Sequence, residues 1–324
     1  VNRKRRGIAL TLVNALAFFA CLYTQNTSRA NTQKTVLAFY YVWYDQTTWS
    51  KTPDVPAIKY TSTDKNAIAR HVEWAQGAGI NGFVVSWYGN DTKQQTQPNF
   101  LALLDIAAAR GFKAAIHFET RSPFMQTRAK IVEGLRYAVN TLANHPGYLR
   151  HNGKPVIFFW QNDRFSPSEW SLIRKQIDPN RNTLWIAEGV TTTWLSEFDG
   201  LHMYNVAWSR DFYKSAMKFA TPTKQLGKIW IATAMPGWDD RKVKGRAGTY
   251  VKNRRDGQMF RESFIGAAAS QPDLLVITSF NEWMEGSHIE PSVSFGDIYL
   301  NLTRELIAQY RAGALPVPTA TPAK

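Results

Sequence analysis

The sequence predicts an α/β protein built as a single (β/α)8 TIM barrel. Eight apolar runs rich in β-branched and aromatic residues recur along the 324-residue chain, and amphipathic helical stretches separate most of them. That alternation is the pattern of a parallel sheet clothed by helices. An open doubly wound sheet alternates in the same way, but no GxGxxG follows the first run and no P-loop occurs, so the nucleotide-binding versions lose support. Hydrophobic residues make up 44% of the chain, enough to fill one large barrel core.

The elements follow in order. Strands are expected at 36–44 (VLAFYYVWY), 82–88 (GFVVSWY), 113–119 (KAAIHFE), 155–160 (PVIFFW), 183–188 (TLWIAE), 200–206 (GLHMYNV), 228–235 (KIWIATAM) and 274–280 (LLVITSF). Helical patterns lie between them, in DKNAIARHVEWAQGAG, NFLALLDIAAARG, RAKIVEGLRYAVNTLAN, PSEWSLIRKQID, SRDFYKSAMKFA and GQMFRESFIGAAAS; DIYLNLTRELIAQYRAG closes the series. Gly79 and Gly111 stand where helices stop just before a strand, as C-terminal caps do. The fifth connection, TTTWLSEF, is short.

The barrel is expected to occupy residues 35–311. Residues 1–23 combine a basic start with an apolar stretch, the layout of a secretory signal or N-terminal anchor. Cys21, the single cysteine of the chain, stands at the end of that stretch, in partial likeness to a lipoprotein cleavage box. Residues 24–34 read as a polar linker, and 312–324 as a disordered Pro/Thr-rich tail. The expected location is therefore secreted or attached to the cell surface, with membrane contact only through the N-terminal segment. A monomer is expected. One thiol excludes a disulfide framework or a cysteine metal site.

The formal charge is +14, and Arg3, Lys4, Arg5, Arg6 and Arg29 supply five of those charges. Lys242, Lys244, Arg246, Lys252, Arg254 and Arg255 form a loose cluster. It reads as a solvated loop, and nucleic-acid binding is not expected.

In such barrels chemistry collects at the C-terminal ends of the strands. Read as one set, those ends carry Tyr40, Tyr41, Trp43, Tyr44 and Asp45; Ser86, Trp87 and Tyr88; His117, Glu119 and Arg121; Trp160 and Asp163; Glu188; Tyr204 and Asn205; and Trp238, Asp239, Asp240 and Arg241. The eighth end is the richest: TSFNEWMEGSHIEPS places Glu282 and Glu285 three residues apart, with Trp283 between them and His288 and Glu290 beyond. Aromatics and carboxylates at one end of a barrel with apolar strands point to a carbohydrate cleft, and paired carboxylates suit acid/base cleavage of a glycosidic bond. His71, His145, His151 and His202 show no metal spacing, and no cofactor or metal is expected.

FYYVWYD, GFVVSWYG, HFE, MPGWDDR and FNEWMEGSHIEP, in this order, resemble glycoside hydrolase family 99, the endo-α-mannosidases and endo-α-1,2-mannanases. The similarity spans roughly residues 36–311. Both acids of the family's usual EWHEG are kept, with Met284 in place of its histidine. Val42 replaces a usual proline, and Asp45 a usual glycine.

The resemblance implies a retaining, endo-acting hydrolase of α-mannosidic linkages, with an oligo- or polysaccharide as its partner. Glu282 would be the base on the sugar 2-hydroxyl, and Glu285 the general acid/base, protonated in the resting state. Tyr44, Trp87, His117, Glu119, Tyr204, Asp240 and Arg241 would line the sugar subsites. Tyr41, Tyr88, Trp238, Trp283, His288 and Glu290 join that set by their place beside these motifs. Two alternatives stand beside this reading: action on another α-linked cell-surface polysaccharide, by hydrolysis or transglycosylation, and a sugar-binding barrel without turnover.

Overall fold

The computed structural model describes residues 34–318. The expectations for residues 1–33 and for 319–324 lie outside that range. Eight parallel strands close on themselves: β1 Val36–Tyr40, β2 Gly82–Trp87, β3 Lys113–Glu119, β4 Lys154–Trp160, β5 Leu184–Glu188, β6 Gly200–His202, β7 Ile229–Ala234 and β8 Leu274–Ile277. Each pairs with its neighbours in sequence, β3 pairs β4, and β8 pairs β1 to complete the ring. The expected (β/α)8 barrel is the observed one.

Seven helices surround the ring: α1 Lys65–Gly77, α2 Thr96–Ala109, α3 Arg128–Asn140, α4 Pro167–Ile177, α5 Phe212–Gln225, α6 Gln258–Ala269 and α7 Ile298–Ala312. The short fifth connection forms only a 3-10 turn, Thr192–Ser196. Local chemistry sets the ends. Asp64 accepts from the backbone N–H of Asn66 at the start of α1, and Ser166 and Glu169 form a reciprocal capping box on α4. Helix α5 runs past Pro222. A proline this close to the C-terminus removes one backbone donor but leaves the helix able to continue.

Three strands stop three or four residues short of their apolar runs. The ladder ends at Tyr40, His202 and Ile277, and the residues beyond splay into the loops over the barrel mouth. Strand parity then decides which side chains enter the barrel. Phe39, His117, Phe158 and His202 meet inside it, with ring centroids 4.8–6.4 Å apart. Phe118, Phe159 and Trp185 alternate with them and pack outward, where Phe159 and Trp185 meet Trp170 and Phe198. On the inward parity the last residues of the strands are Ser86, Glu119, Trp160 and Glu188, with Tyr41 and Tyr204 just past β1 and β6.

Candidate active site

The segment after β8 turns under the barrel mouth and brings in both glutamates. Glu282 is buried; its backbone N–H donates to Ser279 Oγ at 2.7 Å, and its Oε1 accepts from the Met284 N–H at 3.0 Å. Gly286 makes the next turn at φ +59°, and a Cβ there would meet Asp239 at 3.2 Å. Glu285 Oε2 accepts from the Tyr204 hydroxyl at 2.9 Å, which in turn accepts from the Tyr41 hydroxyl at 2.6 Å. Glu285 Oε1 lies 2.7 Å from Arg246 Nη2, and Arg246 Nη1 lies 3.2 Å from Asp240 Oδ2. Glu119 accepts from Ser86 Oγ at 2.5 Å.

Three carboxyls therefore share one partly dehydrated space. Burial pushes Glu282 well above the ordinary carboxyl range, and the nearby Glu285 charge adds to it. Burial also raises Glu285, but the Arg246 guanidinium and the Tyr204 hydroxyl oppose it. Glu119 is pushed up to about 7, chiefly by burial, against the Ser86 hydrogen bond and with help from the Glu285 charge. Glu285 is expected to be the protonated partner at rest; its ion pair with Arg246 favours its carboxylate, whereas burial and the Glu285 charge favour the acid form of Glu282.

The structure brings together Tyr41, Glu119, Tyr204, Asp240, Glu282 and Glu285, with Tyr88 at the rim. Other expected lining residues are elsewhere. Trp87 is fully buried on the outer face of β2, where its Nε1 donates to Gln97 at 2.7 Å and its ring stacks on Tyr137. It is one residue out of register with the cleft. His117 lies on the barrel floor beneath Tyr204, and burial lowers its basicity, with the neighbouring His202 adding to the effect. Arg241 points to solvent and forks onto Asp239 at 2.9 and 2.8 Å.

Tyr44 is buried behind the segment that carries Glu282 and Glu285. Its hydroxyl donates to the Asn281 carbonyl at 2.8 Å and reaches Glu282 Oε1 only at 3.5 Å. Trp238 is buried, edge-on to Tyr204 and stacked on Tyr250. Trp283 is fully buried and stacks on His288 at 3.9 Å; His288 faces Asp54 at 3.3 Å. Glu290 is buried between His71 at 3.1 Å and Tyr60 at 3.0 Å. These residues brace the site from behind.

Reading the sequence missed Arg246, whose distance from every strand end hid it in a loop cluster. It also left Ser86, Trp160 and Glu188 out of the lining set, although strand parity alone places them inward. No group of three or more His, Cys, Asp or Glu side chains that could hold a metal occurs among the described residues.

A closed (β/α)8 barrel carrying a close carboxyl pair at the C-terminal mouth defines a glycoside hydrolase architecture. Comparison with known proteins makes the class specific. The family model described as glycosyl hydrolase family 99 matches residues 53–302, and the chain belongs to that family. A mouse glycoprotein endo-alpha-1,2-mannosidase-like protein is 27% identical over 260 residues, covering 72% of this chain and 56% of its own. A rat glycoprotein endo-alpha-1,2-mannosidase is 23% identical over 257 residues, with 72% and 55% covered. The chain thus spans about half the length of the curated relatives it matches. The solved family 99 endo-alpha-mannosidase from Bacteroides thetaiotaomicron superposes with a TM-score of 0.75 at 25% identity, covering 86% of this chain and 97% of that one.

Proposed function

We propose that this chain is a retaining endo-α-mannosidase in which Glu282 and Glu285 divide the proton transfers. The observation that carries the reading is the pair itself: two buried carboxyls, Glu282 raised by the charge of Glu285, and Glu285 tied to a cation and a tyrosine. Glu282 takes the proton from the sugar 2-hydroxyl. The freed oxygen attacks C1, the C1–O2 bond forms, the C1–leaving-oxygen bond breaks, and Glu285 gives its proton to the departing oxygen. Glu285 then removes a proton from water, which attacks C1. The C1–O2 bond opens and O2 recovers its proton from Glu282.

In an α-mannoside O2 and the leaving oxygen are axial on opposite ring faces, so the attack is in line and the product retains its configuration. The equatorial O2 of an α-glucoside is not aligned. The step needs a proton on Glu285 and a charge on Glu282, the reverse of the ligand-free preference. Substrate binding supplies that change: the 2-hydroxyl donates to an ionised Glu282, while the leaving oxygen accepts from a protonated Glu285.

The test is to incubate the protein with an α-1,6/α-1,2-linked mannan and with an α-glucan and to count new reducing ends. Mannan should be cut and its first product should be the α-anomer by NMR. Glu282→Gln and Glu285→Gln should each lose activity by about a hundredfold or more. Cleavage of glucan alone would move the assignment to another α-linked polymer, and binding without fragments would leave a sugar-binding barrel.

A further inference from the structure

We propose that Lys242 and Lys244, on the loop after β7, select a substrate whose leaving-side sugar carries an anionic substituent, a phosphate or a carboxylate. This deepens the hydrolase reading and rests on it for which side of the cut is the leaving side. From Arg241 to Arg255 that loop holds seven Lys or Arg and no Asp or Glu. The other long loops at this end of the barrel lack that bias. Residues 41–64 set Lys51 and Lys59 against Asp45, Asp54 and Asp64, and residues 278–297 hold four acids and no Lys or Arg. Like charges gathered on one loop repel each other, and an incoming anion relieves that repulsion.

The loop is folded onto the acid. The Val243 N–H donates to the Asp240 carbonyl at 2.9 Å, and the chain returns so that Arg246 meets Glu285 at 2.7 Å and Asp240 at 3.2 Å. In the proposed reaction Glu285 protonates the departing oxygen, so this loop borders the departing sugar. Lys244 and Lys242 stand two and four positions before Arg246, and both are exposed. A Cβ at Gly245 or Gly248 would meet nothing within 4 Å, so the tip of the loop opens on free space.

Two of the arginines are neutralised, and the lysines are not. Arg246 has its two carboxylates, and Arg241 forks onto Asp239. Lys242 Nζ donates to the Thr52 carbonyl at 2.7 Å, which fixes the ammonium without cancelling its charge. The Ser209 carbonyl holds Lys252 in the same way at 2.9 Å; burial lowers the pKa of that lysine, and the charges of Arg255 and Arg210 add to the effect against Glu262. Lys244 has no hydrogen bond or ion pair among the described residues. An ammonium is a compact charge that takes a phosphate or carboxylate from many directions. That suits a substituent on a sugar chain, whose orientation varies, better than a fixed fork does. A neutral glycan offers these groups only hydroxyls, which leave their charge uncompensated.

The experiment measures kcat/KM on an α-mannan, on the same mannan bearing phosphate diesters, and on the same mannan bearing C6 carboxylates. It compares the parent with a Lys242→Gln/Lys244→Gln double variant and a Lys242→Arg/Lys244→Arg double variant, with thermal midpoints as a folding control. At low salt the parent should prefer a charged polymer by about tenfold, and most of that preference should vanish at about 0.5 M salt. The Gln pair should lower the preference to about twofold while the neutral mannan is cut as before, and the Arg pair should keep it. Preference for one charged polymer or for both supports the proposal, and which one names the anion. Equal rates on neutral and charged polymers in the parent, or a Gln pair that loses all three substrates alike, overturns it. A second arm measures binding of the Glu282→Gln protein to the same polymers and to vesicles of anionic phospholipid. Salt-sensitive binding of a charged polymer, weakened by the Gln pair, supports the proposal. Vesicle binding with no preference among the polymers assigns the loop to a membrane surface and overturns it. No cleavage of any polymer sinks the hydrolase reading, while the second arm still decides which anion the loop takes.

Discussion

Arg246 sits on an exposed loop, yet its guanidinium spans Asp240 and Glu285 at 3.2 and 2.7 Å. Its charge works to lower the pKa of both carboxyls of the pair, Glu285 by direct contact and Glu282 through space. In a bell-shaped kcat/KM profile the two limbs report the macroscopic pKa values of the coupled pair in the free enzyme. With Glu282 as base and Glu285 as acid, removing the cation raises both limbs together. Arg246→Met should therefore move the whole kcat/KM profile to higher pH by about one pH unit. A profile that narrows, or moves toward acid, would mean that the arginine acts on substrate and not on the pair. Asp240→Asn should move it the other way, by leaving the guanidinium wholly to Glu285.

At the scale of elements, the segment that carries Glu282 and Glu285 is gripped from outside the barrel. Glu290 accepts from Tyr60 and from Trp283 Nε1 at 3.0 and 3.2 Å and faces His71 of α1 at 3.1 Å, while Tyr40 of β1 bonds the other nitrogen of that histidine at 2.8 Å. One carboxyl thus ties β1, α1 and the segment carrying Glu282 and Glu285. Glu290→Ala takes a partner from three buried polar groups, of which Trp283 Nε1 alone keeps a second acceptor, the Tyr60 hydroxyl. It should cost about 3 kcal/mol or more in urea unfolding, and Glu290→Gln markedly less, because an acceptor oxygen survives. An alanine variant as stable as the parent would show that the network is incidental.

The same elements show what could be read in advance. Eight strands were legible because parallel barrel strands are continuous apolar runs, and the acid pair because it follows the last of them. Trp87 was misplaced because a strand end was read without its parity: Ser86 points in and Trp87 out. Trp283, His288 and Glu290 stand beside the acids in sequence, but a tight turn sends them to the opposite side. Arg246 reaches the site only through a hairpin whose two strands, Trp238–Asp239 and Val251–Lys252, are two residues long, too short to leave a pattern.

For the molecule as a whole, buried acids and buried histidines set two opposing pH dependences. Burial raises Glu119 and Glu188 from 4.5 to about 7 and lowers His202 and His288 from 6.5 to about 4. The folded state holds more protons than the unfolded chain on the acids between about pH 4.5 and 7, so their contribution to stability is full at low pH and is lost as pH rises through that window. It holds fewer protons on the histidines between about pH 4 and 6.5, so theirs is full above that window and is lost as pH falls through it. The two slopes overlap and oppose each other, and stability should change little across this range. Removing one member exposes the other slope. Glu188 lies at the end of β5 outside the carboxyl pair, and the Tyr204 backbone N–H partly offsets its burial. In Glu188→Gln the falling limb of that residue disappears. Urea-derived stability of the variant relative to the parent should then rise by about 2–3 kcal/mol between pH 4.5 and 7, the lower figure allowing for its partial exposure. Parallel profiles for the two proteins would show that Glu188 titrates alike in the folded and unfolded chains and that the barrel mouth is wetter than its packing implies.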